Sequence, residues 1–328
     1  MKKFAVVAAM ATALLGSTSA MAADLEVTHW WTSAGEAAAI AEFAKIFEAE
    51  TGNTWVDSAL AGSGTGANPV IISRIIGGDP MGATQMNTGR DAEELIQAGL
   101  IRDLTPIVEE MGGLDFYADQ SLLEPCTYDG KIYCFPINIH SWDWLWLSTA
   151  AYEKAGIPVP KDWNEYVASW PKLEEAGILP FGLATGWPIS GVPGKDYECL
   201  PALGLGDKLS GGGDSFYFPV LPEGTDQAVI DAQTQLAKIL ISPEGQLKFN
   251  LVKGSMPIRT DIDLSAANPC MQKALGLLKN GLLPSGDFAL SSDTQQQLQD
   301  LNIEFLDDDS ITVDDYVERY ASIIESAD

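Results

Sequence analysis

The chain has 328 residues, 46% of them hydrophobic, and a formal net charge of −27. That acidity repels phosphate backbones and anionic lipid, so nucleic acid and membrane surfaces are excluded as natural partners and a neutral ligand suits the chain best. With two histidines, four cysteines and no CxxC spacing, neither a metal site nor a cofactor is expected.

Residues 1–22 have the three parts of a secretion signal. Lys2 and Lys3 form the positive start, Phe4 to Leu15 the apolar run, and Ala20-Met21-Ala22 the small-residue cleavage site. Cleavage after Ala22 would deliver the protein to the periplasm of a two-membrane bacterium. No cysteine follows the site to carry a lipid anchor. No later apolar run reaches the ~18 residues of a transmembrane helix, so membrane insertion is not expected. The remaining length favours two domains.

Beyond the leader, strands and helices alternate as in a parallel α/β sheet. Leu25–Thr28 reads as a strand. Ala37–Glu50 reads as a helix, with Ile40, Phe43, Ala44, Ile46 and Phe47 near one face and Gly52 as its stop. Thr54–Ala59 is a second strand, followed by a glycine-rich loop at Gly62–Gly66 and a helix at Val70–Ile76. Ala83–Met86 is a short buried strand. Asp91–Ala98 and Leu104–Met111 are helical. Lys131–Ile139 (KIYCFPINI) reads as a strand passing from one domain into the next. Trp142, Trp144 and Trp146 then alternate as one aromatic face, expected in the core of the second domain, with Trp142 the weak ligand candidate among them. Helices follow at Tyr152–Gly156 and Trp163–Ala176, then a strand at Phe181–Ala184 that ends at Trp187. Gly191–Gly213 is rich in Gly and Pro and reads as irregular. Ser215–Val220 returns as strand, and Gln227–Ile241, Pro243–Val252, Met271–Lys279, Thr294–Asp300 and Val313–Glu325 as helices.

Four cysteines in an exported chain read as disulfides with three possible pairings. Cys126 and Cys134 flank a hairpin turn at Tyr128–Lys131, which favours that pair and leaves Cys199 with Cys270 across a long loop.

The stretch Leu25–Glu36 (LEVTHWWTSAGE) is the most chemically suggestive. Adjacent tryptophans on an extended chain point to opposite faces, so Trp30 and Trp31 are not both expected in one core. An aromatic face at a cleft mouth, with Glu36 as a hydroxyl acceptor, fits a carbohydrate.

The order of segments carries a resemblance: the leader, THWWTSAGE, the glycine-rich loop, RIIGGDP, TQMNTGR, KIYCFPINIH, GDSFYF, SPEGQ and KGSMPIR. Together they resemble the periplasmic sugar-binding proteins of ABC importers, in the glucose/mannose-type branch of the family 1 solute-binding proteins. The resemblance implies an α/β, two-lobed periplasmic-binding-protein fold of type II-like topology, with a hinge of several crossovers. The first lobe would take residues 23–138 and about 214–258, and the second 139–213 and about 259–328. It also implies a monomer that closes on a monosaccharide ligand and meets ABC transporter permease subunits, without enzymatic activity. Carried over by position, it places Trp30, Trp31 and Glu36 at the cleft, Gln85, Asn87 and Arg90 on the following loop, and Asn138 and His140 at the hinge. Asp214, Lys253, Gly254, Ser255 and Arg259 come from the return segments, with Trp187 as a further aromatic.

Several of these have structural alternatives. Arg90 can pair with Glu93 or Glu94, Lys253 can be a solvated helix end, and His140 and Asn138 can serve the hinge backbone. Asp214 can cap a turn. The chain also departs from its relatives. ATGWPIS runs directly into GVPGKDYECL, and LPSGDFAL carries Ser285-Gly286 where relatives often have His-Gly. A truncated second lobe is therefore expected, and with it an altered or lost specificity as the alternative reading. A glycoside hydrolase using Glu36 and Asp214 is the remaining alternative, with no GxSxG or HExxH motif to support other hydrolytic chemistry.

Overall fold

The computed structural model describes residues 22–88, 90–140, 144–182, 192–201, 208–210, 212–283 and 290–327. The proposed leader up to residue 21, Trp142, Trp187 and the 284–289 segment lie outside the described residues, as does the side chain of Arg90.

Strand β1 (Asp24–His29) runs into helix α1 (Ala34–Thr51), then β2 (Thr54–Ala59), α2 (Ser63–Ile76) and β3 (Ala83–Met86). Helices α3 (Arg90–Gln97) and α4 (Thr105–Glu110) precede a 3₁₀ turn at Gln120–Cys126. Strands β4 (Thr127–Tyr128), β5 (Lys131–Ile132) and β6 (Cys134–Pro136) follow, so KIYCFPINI is two short strands rather than one. The hairpin β4–β5 turns at Asp129, whose φ of 48° and the 74° of Gly130 are left-handed values tolerated in such turns.

Next come β7 (Trp144–Ser148), α5 (Thr149–Ala155), α6 (Trp163–Glu175), β8 (Tyr197–Pro201), β9 (Leu209–Ser210) and β10 (Ser215–Tyr217). Helices α7 (Gln227–Leu240), α8 (Pro243–Lys253) and α9 (Pro269–Leu278), strand β11 (Leu282–Leu283), and helices α10 (Ser292–Asp307) and α11 (Val313–Glu325) complete the order. The region expected to be irregular therefore contains β8, which pairs antiparallel with β7 from Trp144↔Pro201 to Ser148↔Tyr197. Cross-strand pairing overrides its Gly and Pro content.

The main sheet has the order β2-β1-β3-β10-β6, with β1 parallel to β2 and β3 and with β10 antiparallel to both neighbours. Alternation distributes its residues between two cores. Phe216, Phe135 and Ala83 join the face covered by α1, α7 and α8, while Tyr217, Cys134 and Met86 join the face covered by α2 and α3. A smaller separate core gathers Leu147, Tyr152, Tyr166, Leu173 and Leu200 around the β7–β8 pair.

The glycine-rich loop is a further correction, because α2 already begins at Ser63. Gly64 sits at a close approach: a Cβ there would lie 3.0 Å from Asn87 Nδ2 and 3.5 Å from the Trp30 ring. The disulfides are Cys126–Cys134 and Cys199–Cys270.

Candidate functional site

Three segments cross side by side beyond the end of the main sheet. Ile137 N–H donates to the Asp214 carbonyl (2.9 Å) and His140 N–H to the Gly212 carbonyl (2.8 Å), while Ile139 and Met256 exchange both backbone bonds (2.7 and 3.1 Å). Gly213 permits this approach, since a Cβ on it would stand 2.1 Å from the Asn138 carbonyl oxygen. The crossing places Asn138, His140, Asp214 and Ser255 within one small volume.

At its centre is the Asp214 carboxylate. Gln85 Nε2 donates to Oδ1 (2.8 Å) and Asn138 Nδ2 to Oδ2 (2.6 Å), and Asn138 Oδ1 in return accepts the Asp214 N–H (2.7 Å). His140 Nε2 lies 3.2 Å and Lys253 Nζ 3.4 Å from Oδ2. Burial on its own would raise the Asp214 pKa, but the Lys253 ammonium, His140 and Asn138 hold it well below the usual carboxylate range. Asp214 is therefore a fixed negative charge, and it pins Lys253.

Lys253 ends α8, where a cation complements the helix dipole, and Gly254 follows with the left-handed φ of 80° of a C-terminal stop. Its ammonium stands 3.7 Å from Glu36 Oε1 and 4.4 Å above the Trp31 ring centroid. Glu36 is placed by the start of α1. Ser33 caps that helix, accepting the Glu36 N–H and donating its hydroxyl to Glu36 Oε2 (2.7 Å). The Ser-x-x-Glu pattern that fixes this carboxylate is legible in the sequence as a capping signal.

Glu36, His140, Lys253, Gly254 and Ser255 line a pocket of about 370 Å³. The lining also includes Trp144, Trp146 and Tyr197 from the β7–β8 pair, and Asn268, Cys270 and Met271 from the start of α9. Trp146 is 40% exposed. The expectation that the tryptophan stripe belongs wholly to a core is thus corrected: Leu145 and Leu147 take the face of β7 toward the small core, and alternation leaves Trp144 and Trp146 on the other face, where both line the pocket and Trp144 also packs against the main core. The disulfide Cys199–Cys270 joins the β7–β8 part of this lining to the α9 part.

The other expected residues lie elsewhere. Trp31 is 1% exposed and packs among Phe216, Phe249 and His29, forming the floor under Lys253 rather than a cleft surface. Trp30 is half-buried between the two cores of the main sheet, close to Gly64 and Asn87. Gln85 is fully buried and accepts the Trp30 N–H (3.2 Å) while holding Asp214. Arg259 is absent from the pocket lining: its guanidinium donates to both Asp261 oxygens and to the Ile241 carbonyl, and stacks on Phe116. A local acid two residues away satisfies it.

The fold resembles that of a chitin oligosaccharide binding protein, with a TM-score of 0.74 at 16% identity over 92% of this chain and 98% of that one. In sequence, a probable sugar-binding periplasmic protein of Rhizobium meliloti (strain 1021) is 27% identical over 362 aligned positions, covering 84% of this chain and 86% of the relative. A protein of the same description from Brucella melitensis biotype 1 is 27% identical over 373 positions, covering 85% and 87%. Both alignments are longer than the chain's 328 residues, so both relatives carry residues with no counterpart here. Among the described residues no helix is long and apolar enough to cross a membrane. Residues 30–198 match the family described as bacterial extracellular solute-binding protein. The chain belongs to that family of solute-binding proteins.

Proposed function

We propose that the protein is the periplasmic receptor of an ABC importer, exported by its N-terminal signal. It binds a neutral monosaccharide of the glucose or mannose type between two lobes and hands it to a permease without chemical change. The observation that carries this reading is a pocket of about 370 Å³ lined both by Glu36 and Lys253 and by Trp144 and Trp146, with the buried Asp214 holding Lys253 in place. Pockets of ~300–1,000 Å³ with a few convergent polar groups host small molecules. Aromatic rings and charged hydrogen-bonding groups in one lining match the C–H patches and hydroxyls of a sugar. The periplasmic relatives described as probable sugar-binding proteins support the same class of ligand.

Two carboxylates against one lysine disfavour an anionic sugar. Asp214 is ionised throughout the neutral range and cannot serve as a general acid, which argues against a glycosidase using it in that role. The three crossing segments support a hinge near residues 138, 214 and 258, on which closure would depend.

The test is titration of the mature protein with glucose, mannose, galactose, maltose and glucuronate, followed by tryptophan fluorescence and melting. A sugar at a hundred times its Kd adds about 2.7 kcal/mol of stability. Binding of a neutral hexose, lost in Glu36→Gln and Lys253→Met, supports the reading. If none of these sugars moves either signal, the reading is rejected.

A further inference from the structure

The chain leaving β1 makes two consecutive backbone N–H groups that the strand ladder cannot use. Trp30 N–H finds Gln85 Oε1, and Trp31 N–H donates to the ring nitrogen Nδ1 of His29 at 3.2 Å. His29 is 1% exposed. Its other nitrogen, Nε2, lies 2.9 Å from Oδ1 of Asp57 on the neighbouring strand β2, an oxygen that also accepts the Trp55 indole N–H. Accepting at Nδ1 requires a lone pair there, so the ring proton sits on Nε2, which donates its N–H to the Asp57 carboxylate. Asp57 thereby fixes the tautomer that the Trp31 amide needs. The Trp31 ring, 5.9 Å from the imidazole, is the surface on which Lys253 rests, and Lys253 in turn faces Glu36 and Asp214.

We infer that His29, oriented by Asp57, is a positioning residue for the ligand pocket, one that sets the Trp31 floor beneath Lys253 although it touches no ligand itself. The inference rests on the sugar-binding reading above. Its physical content is specific to one nitrogen. A group at the Nδ1 position that accepts a hydrogen bond preserves the arrangement. A group that reaches only the Nε2 position leaves the buried Trp31 N–H without a partner.

Asparagine and glutamine separate the two. In His29→Asn the amide oxygen occupies the place of Nδ1 and keeps the Trp31 bond, whereas in His29→Gln the amide extends to the place of Nε2 and keeps only the Asp57 contact. Titration with the neutral hexose that binds the wild type best should show about a tenfold weaker Kd in His29→Gln and a recovery to within about threefold in His29→Asn. Equal losses in the two variants, or none in either, overturn the assignment. If His29→Gln does not fold, Asp57→Ala carries the test on a side chain that is 56% exposed. Its affinity should fall about threefold and return in Asp57→Asn, and an unchanged affinity overturns the assignment.

Should the wild type bind none of the sugars, the functional reading has failed, and hydrogen exchange of the Trp31 amide decides the positioning role without ligand. Slow exchange in the wild type and in His29→Asn with at least about tenfold faster exchange in His29→Gln supports it. Equal rates overturn it.

Discussion

Lys253 Nζ lies 3.4 Å from Asp214 Oδ2, and both side chains are almost wholly removed from solvent. A buried pair of this kind is costly to break from one side, because the surviving charge keeps its desolvation penalty without its partner.

Replacing Asp214 with Asn should therefore cost about 3 kcal/mol at pH 7. The pH dependence has a definite sign. The folded pKa of Asp214 is depressed, so its stabilisation is complete above the unfolded value of about 3.9 and is lost as pH falls toward the folded value. Urea unfolding at pH 7, 5 and 3 should show the wild-type and variant stabilities converging only below about pH 4. Parallel curves would contradict the assignment of a buried ionised Asp214.

Gly213→Ala should be among the most damaging small substitutions in the chain. The added methyl would meet the Asn138 carbonyl at 2.1 Å, at the point where the crossing segments bond to one another. A loss of about 2–3 kcal/mol is expected, with weaker sugar binding. Gly276 in α9 is the control, since nothing lies within 4 Å of a Cβ there. Gly276→Ala should gain up to about 1 kcal/mol from helix propensity. Urea midpoints of the two variants moving in the same direction would refute the steric argument.

The two disulfides should differ in weight. Loop-closure entropy gives about 4 kcal/mol for Cys199–Cys270, with its separation of 71 residues, and about 2.5 kcal/mol for Cys126–Cys134, with a separation of 8. Because Cys199 and Cys270 also line the pocket, the Cys199→Ser/Cys270→Ser protein should lose sugar affinity as well as melting temperature. The Cys126→Ser/Cys134→Ser protein should lose stability alone. Calorimetry of the two double variants, with and without sugar, reads both quantities.

Trp31 and Trp146 should respond in opposite ways. Trp31→Ala removes a fully buried ring and should cost about 4 kcal/mol. Trp146→Ala removes a 40% exposed face of the pocket wall, so its stability should change by less than about 1 kcal/mol while sugar affinity falls about tenfold. Melting curves and sugar titration of the two variants separate floor from wall. A stability loss in Trp146→Ala as large as in Trp31→Ala would remove Trp146 from the ligand face.

Much of the architecture is written in local pattern. Leu25 and Val27 alternate with polar residues as a half-buried strand must, and Ile40, Phe43 and Phe47 recur at helical spacing, so β1 and α1 are readable without any tertiary knowledge. The same holds for the capping signal Ser33-x-x-Glu36 and for the hairpin that brings Cys126 and Cys134 together. These features depend on residues within a few positions of one another, and one sequence is enough to specify them. The glycine-rich segment before Val70 was misleading because glycine has two uses. Here Gly64 makes room for Asn87 and Trp30, which follow β3 and β1.

The site itself was only partly legible. Glu36, His140 and Lys253 could be named from their segments, but whether Trp31 was wall or floor depended on Phe216, Phe249 and Lys253, which lie some two hundred residues further along the chain. Arg259 was drawn away by Asp261, and Trp144 and Trp146 line the pocket because the small core claims the alternate residues Leu145 and Leu147. His29 escaped notice for the same reason, since its role lies in which nitrogen meets Trp31 and which meets Asp57. Sequence determined the elements and the chemical kinds of residue available. Only the tertiary structure decided which of them share a pocket, because desolvation and hydrogen-bond partnership are set by neighbours distant in the chain.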